Sequence, residues 1–130
     1  MPNIKVLIVD DEVDVLERLA KKVALEGYQV IKAFDGQEAW EKIKSESPDV
    51  IVLDLAMPKR DGLDVLRELR QNPPSAKWQP VIIVSAKQEL QDLQKGYALE
   101  ADHYITKPAT MGDIINAIKL MVNLIPQRNK

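Results

Sequence analysis

The chain has no cysteine and a single histidine. A disulfide framework, a cysteine-ligated zinc and an iron–sulfur centre are thereby excluded, and nothing in the composition asks for an oxidising compartment. No apolar run approaches the ~20 residues that span a bilayer, and Met1-Pro2-Asn3 leads directly into a strand-like run with no room for a signal peptide. Cytoplasmic residence without membrane insertion is the expectation. Charge of one sign is lacking too: 18 basic against 20 acidic residues leave a net charge of −2, no whole-domain case for direct nucleic-acid binding. The glycine-rich loop and Lys-Ser/Thr of a P-loop are absent, as are a dinucleotide fingerprint after the first strand and the regular twelve-residue loop of an EF-hand.

What the sequence does have is alternation. Five short β-branched runs, at about 4–9, 28–33, 49–53, 80–84 and 102–106, alternate with helical patterns near 14–26, 36–46, 62–71, 88–98 and 110–124. A βαβ series of this kind predicts an α/β fold with a parallel sheet, and the nearly continuous apolar character of the first, third and fourth runs predicts central strands covered on both faces. At 130 residues the chain fits one domain, burying roughly 65–70% of its extended surface without a covalent staple. Gly27 is a natural stop for the first helix, and Thr110 with Asp113 a capping pair for the fifth. The fifth helix carries Ile114, Ile115, Ala117, Ile118, Met121, Val122 and Ile125, broader than one stripe needs, whereas the fourth is polar, with Gln88, Glu89, Gln91, Asp92, Gln94 and Lys95. Residues 126–130 read as a polar, frayed tail or the start of a linker.

Polar residues stand just past the apolar runs: Asp10-Asp11 after the first, Asp54 after the third, Ser85 after the fourth and Lys107-Pro108 after the fifth. Parallel strands would gather them at the carboxyl edge of one sheet, where sites of such folds lie. Three carboxylates brought within a few Å repel one another, and a hard, oxygen-seeking divalent cation stabilises them; magnesium suits, because it keeps waters and shares its shell with phosphate oxygens. Lys107 adds a positive point charge and Ser85 a short hydroxyl donor, which together describe a pocket for a phosphoryl group. A carboxylate can itself accept phosphate, and Asp54 is the candidate, since it stands alone while Asp10 and Asp11 hold the metal. Taken singly, each feature has a plainer reading: a polar loop, a turn hydroxyl, a solvated lysine, a strand aromatic at Tyr104. His103 has no second ligand beside it and reads as a partly exposed strand residue.

Taken together, the pieces Ile8-Val9-Asp10-Asp11-Glu12, Leu53-Asp54-Leu55-Ala56-Met57-Pro58 with Asp61-Gly62, Val84-Ser85-Ala86 and Tyr104-Ile105-Thr106-Lys107-Pro108 resemble the receiver domain of two-component response regulators. The resemblance covers residues 4–124. It implies a (βα)5 doubly wound, flavodoxin-like domain over residues 1–125 with strand order 2-1-3-4-5. It implies that Asp54 takes a phosphoryl group from a sensor histidine kinase or a histidine phosphotransfer protein with Mg2+ as cofactor, and that the domain promotes its own phosphorylation and dephosphorylation without turning over an external substrate. Asp11, Asp54 and the carbonyl of Ala56 would coordinate Mg2+ directly and Asp10 through water. Ser85 and Lys107 would contact phosphoryl oxygens, and Tyr104 would change rotamer as Ser85 is drawn inward. Around the site, Ala86 keeps the approach open, Gly62 permits a turn or a close helix approach, and Pro108 follows Lys107 in a peptide commonly cis in this family, a form the sequence alone does not establish. A homodimer through the fourth helix, fifth strand and fifth helix, and an output domain beyond residue 130, are candidate partners. A protein-interaction module that keeps the fold without being phosphorylated is the alternative.

Overall fold

The structure, a computed structural model, describes residues 3–55, 57, 61–96 and 101–128. Strands and helices alternate strictly: β1 (Lys5–Val9), α1 (Val13–Leu25), β2 (Gln29–Ala33), α2 (Gly36–Glu46), β3 (Val50–Asp54), α3 (Gly62–Gln71), β4 (Val81–Ala86), α4 (Lys87–Gly96), β5 (His103–Lys107) and α5 (Met111–Arg128). The strands form one parallel sheet in the order β2-β1-β3-β4-β5, as expected.

Strand parity divides the core into two layers. Along β1, Val6 and Ile8 face α1 and α5 while Leu7 and Val9 face α2 and α3; β3 repeats this with Val50 and Val52 against Ile51 and Leu53. Both faces of β3 are therefore buried, and this is why its sequence is a continuous apolar run instead of an alternating one. The edge strands β2 and β5 are only partly covered. Trp40 packs on the α2/α3 side and Trp78 against the α1/α5 side, where its Nε1 donates to Asp102 Oδ1 at 3.3 Å and anchors the loop before β4.

Helix ends follow local chemistry. Gly27 takes φ 98° after α1 and donates its N–H to Ala24 O at 3.0 Å. Asp35 caps α2 by accepting from the Glu38 N–H, Asp61 caps α3 by accepting from the Asp64 N–H, and Thr110 and Asp113 bond reciprocally at the start of α5. The ends of four elements differ from expectation. Helix α5 continues through Pro126 to Arg128 instead of fraying after residue 124, because Val122, Leu124 and Ile125 still pack on the α1/α5 layer. Strands β3, β4 and β5 run one or two residues further, to include Asp54, Ser85-Ala86 and Lys107, because the parallel register Asp54↔Val84, Ser85↔Thr106 and Ala86↔Lys107 extends to those residues.

Candidate functional site

Register places the acids side by side. Val9 pairs with Leu53, so the next residues, Asp10 and Asp54, leave adjacent strands at the same level. The Asp10 N–H donates to Ala33 O at 3.2 Å and prolongs the β1–β2 ladder by one step. Carboxylate oxygens of Asp10, Asp11 and Asp54 all lie within 4.8 Å of one another, with Asp10 and Asp54 buried and Asp11 exposed.

Such a cluster is electrostatically uphill. Burial pushes the Asp10 carboxyl above its ordinary range; the Glu12 N–H, donating to Asp10 Oδ1 at 2.9 Å, opposes this, the Asp54 charge reinforces it, and Lys107 and Glu12 act in opposite directions after that. Lys107 supplies a counter-charge. Strand β4 lies between β5 and Asp54, and Lys107 stands two residues beyond the level of Asp54, but the long lysine stem carries Nζ to 2.9 Å from Asp54 Oδ2. Burial alone would lower the Lys107 pKa; the hydrogen bond to Asp54 and the charges of Asp54, Asp10 and Glu12 outweigh it, so the ammonium is held above its usual value and stays charged. A pocket of about 270 Å³ opens beneath these groups, walled by Ile8, Leu19, Val52, Val84 and Ile114.

Gly62 fixes the backbone at Asp54. Its N–H donates to Leu55 O at 3.0 Å, and a Cβ in its place would lie 2.4 Å from Asp54 O and 2.9 Å from Leu55 Cα. Only glycine lets α3 approach this closely. The Lys107–Pro108 peptide is cis, and Pro108 borders the pocket. Ala86 is exposed at the end of β4. Ala56, with the carbonyl expected to bind metal, and Pro58 lie outside the described residues.

Ser85 and Tyr104 stand on β4 and β5. Ser85 follows the parity of Ile83, toward the α2/α3 side, and is fully buried; its hydroxyl donates to Glu89 Oε1 at 2.8 Å. Glu89 was read from the sequence only as one polar residue of the fourth helix. Its signal was the spacing: a glutamate three residues after Ala86 and four after Ser85 reaches back to both. Tyr104 pairs in register with Ile83 and is 42% exposed, beside a groove lined by Thr106, Asn116, Ala117 and Leu120. Partial burial raises its phenol pKa, with a backbone hydrogen bond at Ala101 opposing and the Asp102 charge adding to the rise, so the ring is neutral at pH 7. His103 is half-buried on β5.

A family model for the response regulator receiver domain matches residues 6–119. The alkaline phosphatase synthesis transcriptional regulatory protein PhoP of Bacillus subtilis (strain 168) is 39% identical over 120 residues, covering 92% of this chain and 49% of that protein. The chain thus spans about half the length of this curated relative. Among solved structures, the receiver domain of the Francisella response regulator 1452 is 33% identical with a TM-score of 0.82, over 93% of this chain and 98% of that one. The response regulator TrrA of Thermotoga maritima, solved with Mg2+ and BeF, is 29% identical with a TM-score of 0.77, over 91% and 98% of the two chains.

Proposed function

The chain belongs to the response regulator receiver family, and from that premise we propose that Asp54 is the phosphoryl acceptor of a signalling switch, loaded by a sensor histidine kinase or a histidine phosphotransfer protein. Receivers are phosphorylation-based switches, and the triple-carboxylate cluster agrees with that function. The observation that carries the residue assignment is the position of Asp54, buried at the end of a central strand, 2.9 Å from an ammonium and clustered with two further carboxylates.

The donor set suits Mg2+. Ligand distances of about 2.1 Å put oxygens on opposite sides of a magnesium ion about 4.2 Å apart, and a cluster spread over at most 4.8 Å needs little contraction to meet that. Asp11 and Asp54 with the carbonyl of Ala56 would hold the ion, and Asp10 would reach it through water. The ion would neutralise charge on the phosphoryl oxygens. A carboxylate oxygen of Asp54 attacks phosphorus as the bond from phosphorus to the donor imidazole nitrogen breaks; the pair returns to that nitrogen, which takes up a proton, and an acyl phosphate remains on Asp54. Lys107, already bonded to Asp54, turns its ammonium to a phosphoryl oxygen, and Ser85 supplies a hydroxyl to another. Tyr104 then follows Ser85 inward, altering the surface of α4, β5 and α5.

A homodimer through α4, β5 and α5 belongs to the same proposal; exposed Tyr104 and Leu120 on that side support it. So does an output domain beyond residue 130, for which the half-length match to a transcriptional regulatory protein is the support. Incubation with acetyl phosphate, with and without Mg2+, followed by peptide mass mapping tests the core of the reading. One adduct on the peptide containing Asp54, dependent on Mg2+, is expected; no adduct on the wild-type chain would favour the unphosphorylated interaction module.

A further inference from the structure

A serine hydroxyl has one proton to donate. In this structure the proton of Ser85 goes to Glu89, with Oγ 2.8 Å from Oε1. The same carboxylate oxygen accepts the Ala86 backbone N–H at 3.3 Å. Because β4 ends at Ala86 and α4 begins at Lys87 with no loop between, Ala86 stands at the N-cap position and Glu89 at the third helical residue. A glutamate there that reaches back to the N-cap N–H forms one half of a capping box; Ala86 has no side-chain oxygen to form the other half. One half-buried carboxylate therefore ties down both the start of α4 and the hydroxyl of Ser85.

We infer that Glu89 is a positioning residue for the reaction at Asp54, holding the Ser85 hydroxyl until a phosphoryl oxygen takes it. The inference rests on the reading above that Ser85 serves the phosphoryl group. One proton cannot satisfy both acceptors, so the Ser85 hydroxyl must leave Glu89 before it can bond to phosphate. Both acceptors are anionic, and hydrogen bonds to ionised groups are the stronger kind. The exchange therefore trades one strong bond for another, and their difference sets how far occupancy of Asp54 shifts the equilibrium. When the bond passes to phosphate, Glu89 keeps its tie to the Ala86 N–H but loses its tie to the Ser85 side chain. Occupancy of Asp54 is felt at the first turn of α4 by this route.

Titration with beryllofluoride in saturating Mg2+, followed by amide chemical shifts, tests the competition in four proteins: wild type, Glu89→Ala, Ser85→Ala and the double variant. Loss of a charge-assisted acceptor from the competing state should tighten beryllofluoride binding in Glu89→Ala by roughly tenfold. Glu89→Gln keeps an acceptor oxygen without the charge and should fall between wild type and Glu89→Ala. In the Ser85→Ala background, Glu89→Ala should change nothing, since no hydroxyl is left to contest. An equal gain in both backgrounds would mean that Glu89 merely repels the anion, and an unchanged or weakened affinity in Glu89→Ala would mean that it does not compete; either overturns the inference while leaving Asp54 as acceptor. Failure of the wild type to bind beryllofluoride would overturn the reading of Asp54 itself, and this inference with it.

Discussion

The two ends of the sheet use aspartate in opposite ways. At the amino end, Asp49 accepts the Lys5 backbone N–H at 2.8 Å and the Lys77 ammonium at 3.0 Å, and Lys77 also donates to Ser47 O. Asp102 accepts the Val81 N–H at 2.8 Å, Arg70 Nη2 at 2.9 Å and the indole N–H of Trp78 at 3.3 Å. Each carboxylate there meets a backbone donor at the start of a strand and a cation. At the carboxyl end, Asp10, Asp11 and Asp54 are instead packed against one another around Lys107. The amino end is satisfied as it stands, whereas the carboxyl end holds charge that a bound cation and a phosphoryl group would rearrange. Sites of this fold lie at the carboxyl end, and local conflict concentrated there is what function costs in stability.

Breaking the satisfied end should have the largest effect on folding. Asp102→Ala removes one acceptor from Arg70, Trp78 and Val81 together, and should destabilise the domain by about 3 kcal/mol in urea unfolding, about 1 kcal/mol for each of the three part-buried hydrogen bonds lost. A loss below about 0.5 kcal/mol, typical of an exposed ion pair, would show that this network is ornamental. Gly62→Ala comes next. Its methyl group meets the backbone of Asp54 and Leu55, so about 1–3 kcal/mol should be lost, and phosphoryl labelling should slow more than the stability loss explains because the displaced segment carries Asp54.

At the carboxyl end the comparison sharpens instead of breaking. Asp11→Ala should weaken Mg2+ binding more than Asp10→Ala, although loss of a water-bridged acid can itself cost about 10–100-fold; titration by NMR ranks them, and the reverse order would exchange their roles. Asp10→Asn should raise the thermal midpoint at neutral pH in the presence of a chelator. The carboxyl of Asp10 is raised in the folded state, so the folded chain binds more protons than the unfolded one between the ordinary aspartate value and the raised one. Stability falls as pH rises through that window and stays lower above it. The amide removes this penalty and keeps an oxygen for the Glu12 N–H, and the gain should vanish below the ordinary aspartate value.

The sequence carried the frame of this site more clearly than its wiring. Continuous apolar runs marked β1, β3 and β4 as central because burial on both faces leaves no polar alternation, and the parallel arrangement those runs imply brings Asp10, Asp11, Asp54 and Lys107 together. Gly62 was legible as a turn or a close approach, and the packing of α3 on the Asp54 backbone makes it the second. The bond from Ser85 to Glu89 was not, since it depends on α4 following β4 without a loop, and helix starts are the least sharply encoded feature of a polar helix. The stapling roles of Asp49 and Asp102 were not legible either, because their partners lie 21 to 44 residues away. The end of α5 was misplaced because Pro126 reads as a stop, yet apolar packing carries the helix through it.

The contrast between the ends is tested most directly by intact-mass analysis after incubation with acetyl phosphate and Mg2+, applied to wild type, Asp54→Asn and Asp49→Asn. Asp54 and Asp49 are both aspartates at the ends of one strand region, and the account gives chemistry to the first and stapling to the second. One phosphoryl adduct is predicted on the wild type and on Asp49→Asn, measured at a temperature where that variant is folded, and none on Asp54→Asn, because an amide oxygen is no anionic nucleophile. An undiminished adduct on Asp54→Asn, or its loss from folded Asp49→Asn, would contradict the account.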